Sequence, residues 1–223
     1  LTLAYSRDGW HWHRPDRRAF IAAERRDVWD RGYVQPVGGI CTIHGDTLWF
    51  YYTGFQGDPE RKERPFLEAG MYDRGSTGVA FLRRDGFASL EADAAGGDIL
   101  TRPITFTGKH LFVNVDAPQG QLRAELTDES GNPIAPFTLD NCEVLSANST
   151  LAQVRWSAGD DLTALAGRPV RIRFQLTNGA LYAFWVSRDR TGRSDGYVAA
   201  GGPGYTGLVD TVGNAALAAP AGT

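Results

Sequence analysis

The stretch from Tyr33 to Gly54, YVQPVGGICTIHGDTLWFYYTG, limits what this chain can fold into more than any other part of it. Ile40-Cys41-Thr42-Ile43 is apolar and rich in β-branched residues. His44-Gly45-Asp46 carries turn chemistry, with a glycine free to take positive φ, and Thr47 to Tyr52 runs apolar on both faces. Two such runs joined by a tight turn predict a hairpin. A strand apolar on both faces must be covered on both sides, so the hairpin is expected inside a sheet packed against other sheets. Gly38 and Gly39 in its first strand point to a bulge or a close backbone approach.

The surrounding chain repeats itself once. Residues 1–15 read as strand, turn, strand, with Arg7-Asp8-Gly9 as the turn and Trp10 and Trp12 flanking His11 on one face. Tyr5-Ser6-Arg7-Asp8-Gly9-Trp10 matches Leu82-Arg83-Arg84-Asp85-Gly86-Phe87 in role: apolar strand, Arg-Asp-Gly turn, aromatic, second strand. A repeat made only of strands predicts a β-propeller. Its blade would comprise 33–43, 47–53, 77–83 and 87–92, and residues 1–14 would be the outer strands of the blade before it. Residues 1–92 are therefore expected to be the C-terminal blade or blades of a propeller. Between strands, Gln56 to Ser76 is a long charged loop with two prolines. Arg61-Lys62-Glu63-Arg64 in it is a solvated run of mixed sign, and Glu68 is either a solvated carboxylate or one that reaches a funnel.

Composition shifts after Leu90. Residues 93–98 read as a linker and 99–187 as a second all-β unit of roughly eight short strands, a jelly-roll-like β-sandwich. Gln121–Thr127 alternates, with Leu122, Ala124 and Leu126 inward, and Val170, Ile172, Phe174 and Leu176 alternate with Arg171, Arg173 and Gln175. Asn178-Gly179 is the strongest short hairpin signal, with Leu181–Val186 as its second arm. Asp160–Leu165 is expected to form a single helical turn. Residues 188–223 form a Gly/Ala-rich tail, lying back across a surface or disordered, with disorder expected over its last residues.

A formal net charge of -3 with no clustered basic face argues against nucleic acid. No apolar run approaches the ~20 residues that span a bilayer, which argues against a membrane. Cys41 and Cys142 sit in strand-like apolar contexts and read as buried free thiols. His11, His13, His44 and His110 are scattered without ligand spacing, so neither a metal nor any cofactor is expected. Gly201-Gly202-Pro203-Gly204 follows no strand–helix pattern and is no phosphate cradle. The chain starts at Leu1 with no visible signal peptide and is expected to be a piece of a longer protein. The sequence leaves the compartment open, a secreted or periplasmic one included.

Ser6-Arg7-Asp8-Gly9 with Trp12, Gly45-Asp46 followed by Leu48-Trp49-Phe50-Tyr51-Tyr52, and Gly167 to Val186 together resemble glycoside hydrolase family 32 and its bacterial relatives. The resemblance covers most of residues 1–187. It implies the end of a five-bladed propeller followed by a sandwich, the remaining blades lying outside this chain. It also implies a carbohydrate partner and a parent enzyme that cleaves a fructoside or related furanoside with two carboxylates. The family's Asn-Asp-Pro, Arg-Asp-Pro and Glu-Cys motifs do not occur here; Asn141-Cys142-Glu143 has the reverse order. No catalytic residue is therefore carried over, and the chain alone is expected to be inactive. Ser6–Trp12 is also similar to the Asp-box of sialidases, a structural turn. The alternative is a non-catalytic carbohydrate-binding or scaffolding protein, for which Trp156, Tyr182 and Trp185 are the large aromatics of the sandwich, each otherwise core.

In a propeller the start of each inner strand faces the central funnel. Here that segment is Trp29-Asp30-Arg31-Gly32-Tyr33-Val34-Gln35. Asp30 is a candidate funnel carboxylate or a turn residue. Trp29 and Tyr33 are sugar platforms or packing residues. Gln35 is a hydroxyl-binding group expected to be buried and in need of a partner.

Overall fold

The computed structural model describes residues 1–23, 28–58 and 70–218. Glu68, Arg61–Arg64 and the end of the tail, residues 219–223, lie outside the described residues. The chain is all-β, built of several open antiparallel sheets, and divides into two compact units. The first holds residues 1–42 and 49–81; the second holds 43–48 and everything from Leu82 on. No described helix is long and apolar enough to cross a membrane.

The first unit opens with a small hairpin of β1 (Tyr5–Ser6) and β2 (Trp12–His13), with Tyr5 opposite His13. Its turn is held by its own side chains. Ser6 Oγ accepts from Gly9 N at 2.8 Å, Asp8 Oδ1 accepts from the amides of Trp10 and His11, and Trp12 Nε1 donates to Gly9 O. These bonds, with the His11 imidazole first among them, pull the Asp8 carboxyl well below the usual range. Trp10 lies in the turn rather than in a strand, and it and Trp12 are both largely exposed.

The predicted hairpin is β3 (Tyr33–His44) and β4 (Thr47–Phe55), joined by β5 (Gly75–Arg83) in a three-stranded sheet of order β3-β4-β5. Gly45 takes φ 59°, as the turn requires. A Cβ added at Gly38 would meet nothing within 4 Å, so no close approach explains that glycine. The expected fourth strand of this sheet is a correction. Within 87–92, only Leu90–Ala92 forms a strand, β6, and it pairs with β12 of the second unit.

The core of the second unit lies between two sheets. One has the order β10-β8-β12-β6, from β10 (Asn148–Gln153), β8 (His110–Asp116), β12 (Gly179–Ser187) and β6. The other is β7-β11-β9, from β7 (Gly97–Leu100), β11 (Arg171–Thr177) and β9 (Gln121–Thr127). Inward residues of both, among them Leu111, Val113, Val115, Leu122, Leu126, Ile172 and Phe174, are fully buried with Trp156 and Leu162. On the outer side of β11, Arg173 reaches Asp98 at 3.0 Å on β7 and Glu125 at 3.2 Å on β9, a cross-strand ladder of charge. A single 3-10 turn, Thr163–Leu165, stands where a helical turn is expected.

Asn178-Gly179 is the second correction. β11 and β12 belong to different sheets, so the turn passes from one sheet to the other instead of closing a hairpin. Asn178 takes φ 46°, and a Cβ at Gly179 would come within 2.5 Å of the Ala117 Cβ and 2.9 Å of the Asp116 carbonyl. The turn needs a left-handed residue and a glycine for either outcome; the pairing of Ala180 with Asp116 and of Gly179 with Ala92 is what holds β12 in the other sheet.

The outer face of the four-stranded sheet is covered from within the same unit. Arg83 donates to Asn114 Oδ1 at 2.6 Å, to Val115 O at 2.9 Å and to Asn148 Oδ1, and its guanidinium lies 4.9 Å over the Tyr182 ring. Buried Asn114 returns a bond to Arg84 O. The tail adds Gly192, whose carbonyl accepts from Trp185 Nε1 while Trp185 stacks on Phe112. Further on, Gly201 O accepts from Ile43 N at 2.8 Å, and Asp210 gathers the amides of Ser194, Val212 and Gly213. Cys41 and Cys142 form no disulfide. Cys142 is buried, and burial pushes its thiol up, while Cys41 is only partly buried.

Candidate functional site

The site is built where β3 begins. A bend at 28–32 delivers Trp29 and Asp30 onto the ends of β4 and β5. Gly32 N donates to Phe55 O at 2.8 Å and fixes that entry. Trp29 lies over Tyr52 with ring centroids 5.6 Å apart and planes 29° off parallel. Two glycines clear its bed. A Cβ at Gly54 would come within 2.5 Å of the Trp29 ring and of Asp30 Cβ. One at Gly78 would come within 2.7 Å of the indole and 2.8 Å of the Tyr52 ring. The indole is 39 % exposed.

Asp30 is 3 % exposed, and Tyr52 Oη donates to its Oδ2 at 2.9 Å. Among the described residues no donor reaches its Oδ1. An ionised carboxylate is acceptor-only with about four lone-pair positions, so one hydrogen bond leaves most of its capacity open. Among the described residues of the first unit, Asp30 is the one buried carboxylate.

Tyr33 packs with Phe55 at 6.1 Å and edge-on with Tyr72 at 5.4 Å, and strand alternation sets Phe55 on the opposite face of β4 from Tyr52 and Gly54. Gln35 is exposed, against the expectation of burial; strand alternation buries Val34 and turns Gln35 to solvent. The structure therefore brings Trp29 and Asp30 together, sets Tyr33 in an aromatic cluster and leaves Gln35 apart. Tyr52, Gly54 and Gly78 belong to the site and were not singled out in the sequence. No described group of three His, Cys, Asp or Glu side chains is placed to hold a metal.

Glycine to alanine at 54 is expected to drive the added methyl into Trp29 and Asp30. The overpacking cost is about 1–3 kcal/mol, with a changed tryptophan emission as its sign. Urea titration followed by fluorescence checks it, and an unchanged spectrum and midpoint would refute the packing described. No known protein family, no curated protein and no solved structure matches the chain.

Proposed function

We propose that this chain binds carbohydrate through Trp29, Asp30 and Tyr52, and that it is part of a protein acting on glycosidic bonds of a fructoside-like or other furanoside sugar. One observation carries the reading: a partly exposed indole, bedded on a tyrosine, stands beside a buried carboxylate that keeps an unfilled oxygen. An indole offers a flat apolar face to the C–H side of a sugar ring, and the carboxylate accepts from a ring hydroxyl. Hydrolysis usually needs two carboxyls, about 5 Å apart for retention. The first unit supplies one buried carboxylate among its described residues, so the role read for this chain is binding rather than turnover.

The sandwich has its aromatics committed to packing. Trp156 is buried in the core, Tyr182 lies under Arg83, and Trp185 rests on Phe112 under the tail. That favours a scaffolding role for it over a sugar-binding face.

Titration calorimetry of the chain with the neutral fructan tetrasaccharide nystose tests the proposal. Binding is expected, and Trp29→Ala is expected to weaken it about tenfold, the worth of one stacked ring. Asp30→Asn is expected to weaken it by a similar factor while Tyr52 keeps its acceptor. Absence of binding, or a Trp29→Ala variant that binds as the parent does, would sink the reading.

A further inference from the structure

Two residues past Gly54, which beds the indole, two cations share one glutamine, with no counter-ion among the described residues. Arg31 Nε donates to the backbone oxygen of Gln56 at 3.1 Å, and Arg74 Nη1 donates to the side-chain oxygen of the same glutamine at 3.3 Å. Gln56 N in turn donates to Arg74 O. One residue thus gathers two guanidiniums at the joint between the end of β4 and the start of β5. Neither has a carboxylate within ion-pair distance among the described residues; Asp58 and Asp73, on the same two chain ends, have other partners. Like charges brought together at a protein surface repel, and an anion placed between them relieves that repulsion.

A second observation points the same way. Arg74 takes φ 57°, in the left-handed region where a glycine is at ease and a long side chain is not. Such strained positions cluster at functional sites.

We infer that Arg31 and Arg74, braced by Gln56, form a subsite for the carboxylate of an acidic sugar. The inference rests on the carbohydrate reading above and names the class of sugar that the site prefers. A guanidinium fork matches the two oxygens of a carboxylate, and the free N–H groups of both side chains supply it.

Calorimetry of the full chain at about 50 mM salt with tetragalacturonate and with nystose, equal in length and different in charge, tests it. Tetragalacturonate is expected to bind about tenfold more tightly, with the advantage shrinking at about 0.5 M salt as screening sets in. Arg31→Gln and Arg74→Gly are each expected to remove that preference and leave nystose affinity unchanged. Arg74→Gly also relieves the left-handed strain, so its melting temperature should hold or rise, which separates a lost subsite from a damaged fold. Equal affinity for the two sugars, or Arg variants that keep the preference, overturns the subsite while the neutral-sugar reading survives. Tetragalacturonate binding that depends on the arginines and ignores Trp29→Ala keeps the subsite and overturns the stacking platform. Failure of both sugars to bind overturns both.

Discussion

Asp210→Ala is expected to destabilise the second unit by about 3–5 kcal/mol, the cost of leaving a buried charge without its partner. Asp210 is fully buried and pairs with Arg84 Nη2 at 3.3 Å. It also accepts from Gly213 N at 2.9 Å, from Val212 N at 3.2 Å, and from Ser194 N and Oγ at 3.2 Å. Alanine orphans those donors and strands the Arg84 guanidinium. Among the described residues the one carboxylate left to Arg84 is Asp85 at 3.7 Å, whose side chain is 63 % exposed and screened by water. Asparagine retains one acceptor and should cost less, about 1–3 kcal/mol. In the double variant Arg84→Met/Asp210→Ala the loss should be smaller than the sum of the single losses, since a buried pair replaced by apolar groups is often near neutral. Urea denaturation with a constant m-value reads all of these. A single-variant loss under about 1 kcal/mol would show that the pair does not anchor the tail.

The same cluster fixes how stability responds to pH. Burial pushes the Asp210 carboxyl up, but the amides of Gly213, Ser194 and Val212, with Arg84, outweigh it, and the net displacement is downward. A carboxyl lower in the folded than in the unfolded chain stabilises fully above its unfolded value, and that contribution is lost as pH falls through its folded value. The loss therefore begins below about pH 4. Tyr205, facing Arg84 at 5.5 Å, is pushed up to about 12 by burial. A raised phenol stabilises fully below its unfolded value near 10 and loses that contribution as pH rises toward 12. Asp85, beside Arg84, is raised by burial and so acts with the opposite sign to Asp210, its contribution falling as pH rises above its ordinary value of 3.8, and the buried Cys142 thiol does the same above 9.0. Asp210→Ala should shrink the acid limb and Tyr205→Phe the alkaline one.

How far the sequence speaks is visible in its two Arg-Asp-Gly copies. The first has Ser6 and Asp8 placed to bind the turn's own amides, and it folds as the local pattern predicts. The second has Arg83 where the first has Ser6, so its turn lacks that lock, and Arg83 and Arg84 reach instead for Asn114, Asn148 and Asp210. Local chemistry named the turn; which sheet the next strand joins depends on partners 30 to 126 residues away. The same limit explains Asn178-Gly179, whose chemistry suits a hairpin and a sheet crossing equally. β10 went unread because Asn148-Ser149-Thr150-Leu151-Ala152-Gln153 is half polar and bulged against β8. At the candidate site, Trp29 and Asp30 were legible because they precede a strongly apolar strand. Tyr52, Gly54 and Gly78 were not, because only the register of β3, β4 and β5 makes them neighbours. Asp210 gave no signal in a tail of glycine and alanine.

Trp156→Ala carries the second large expected effect, about 3–5 kcal/mol for removing a buried tryptophan. The side chain is 2 % exposed, meets Phe137 edge-on at 5.3 Å, and donates from Nε1 to Ala124 O at 3.0 Å. Truncation opens a cavity between the sheets and leaves the Ala124 carbonyl without its donor, and the two penalties act together. Trp156→Phe retains most of the apolar volume and should cost about 1–3 kcal/mol, chiefly the lost hydrogen bond. Trp185→Ala is the informative comparison. That ring is half-buried on the outer face, stacked on Phe112 beneath Gly192, and its removal should cost clearly less and loosen the tail more than the core. Hydrogen exchange separates the cases: Trp156→Ala should raise exchange throughout β9 and β11, whereas Trp185→Ala should raise it first over residues 188–218. If Trp185→Ala proved as costly as Trp156→Ala, with exchange rising equally in both sheets, the covered outer face would have to be counted as core, and the tail as an integral layer of the second unit rather than a strap across it.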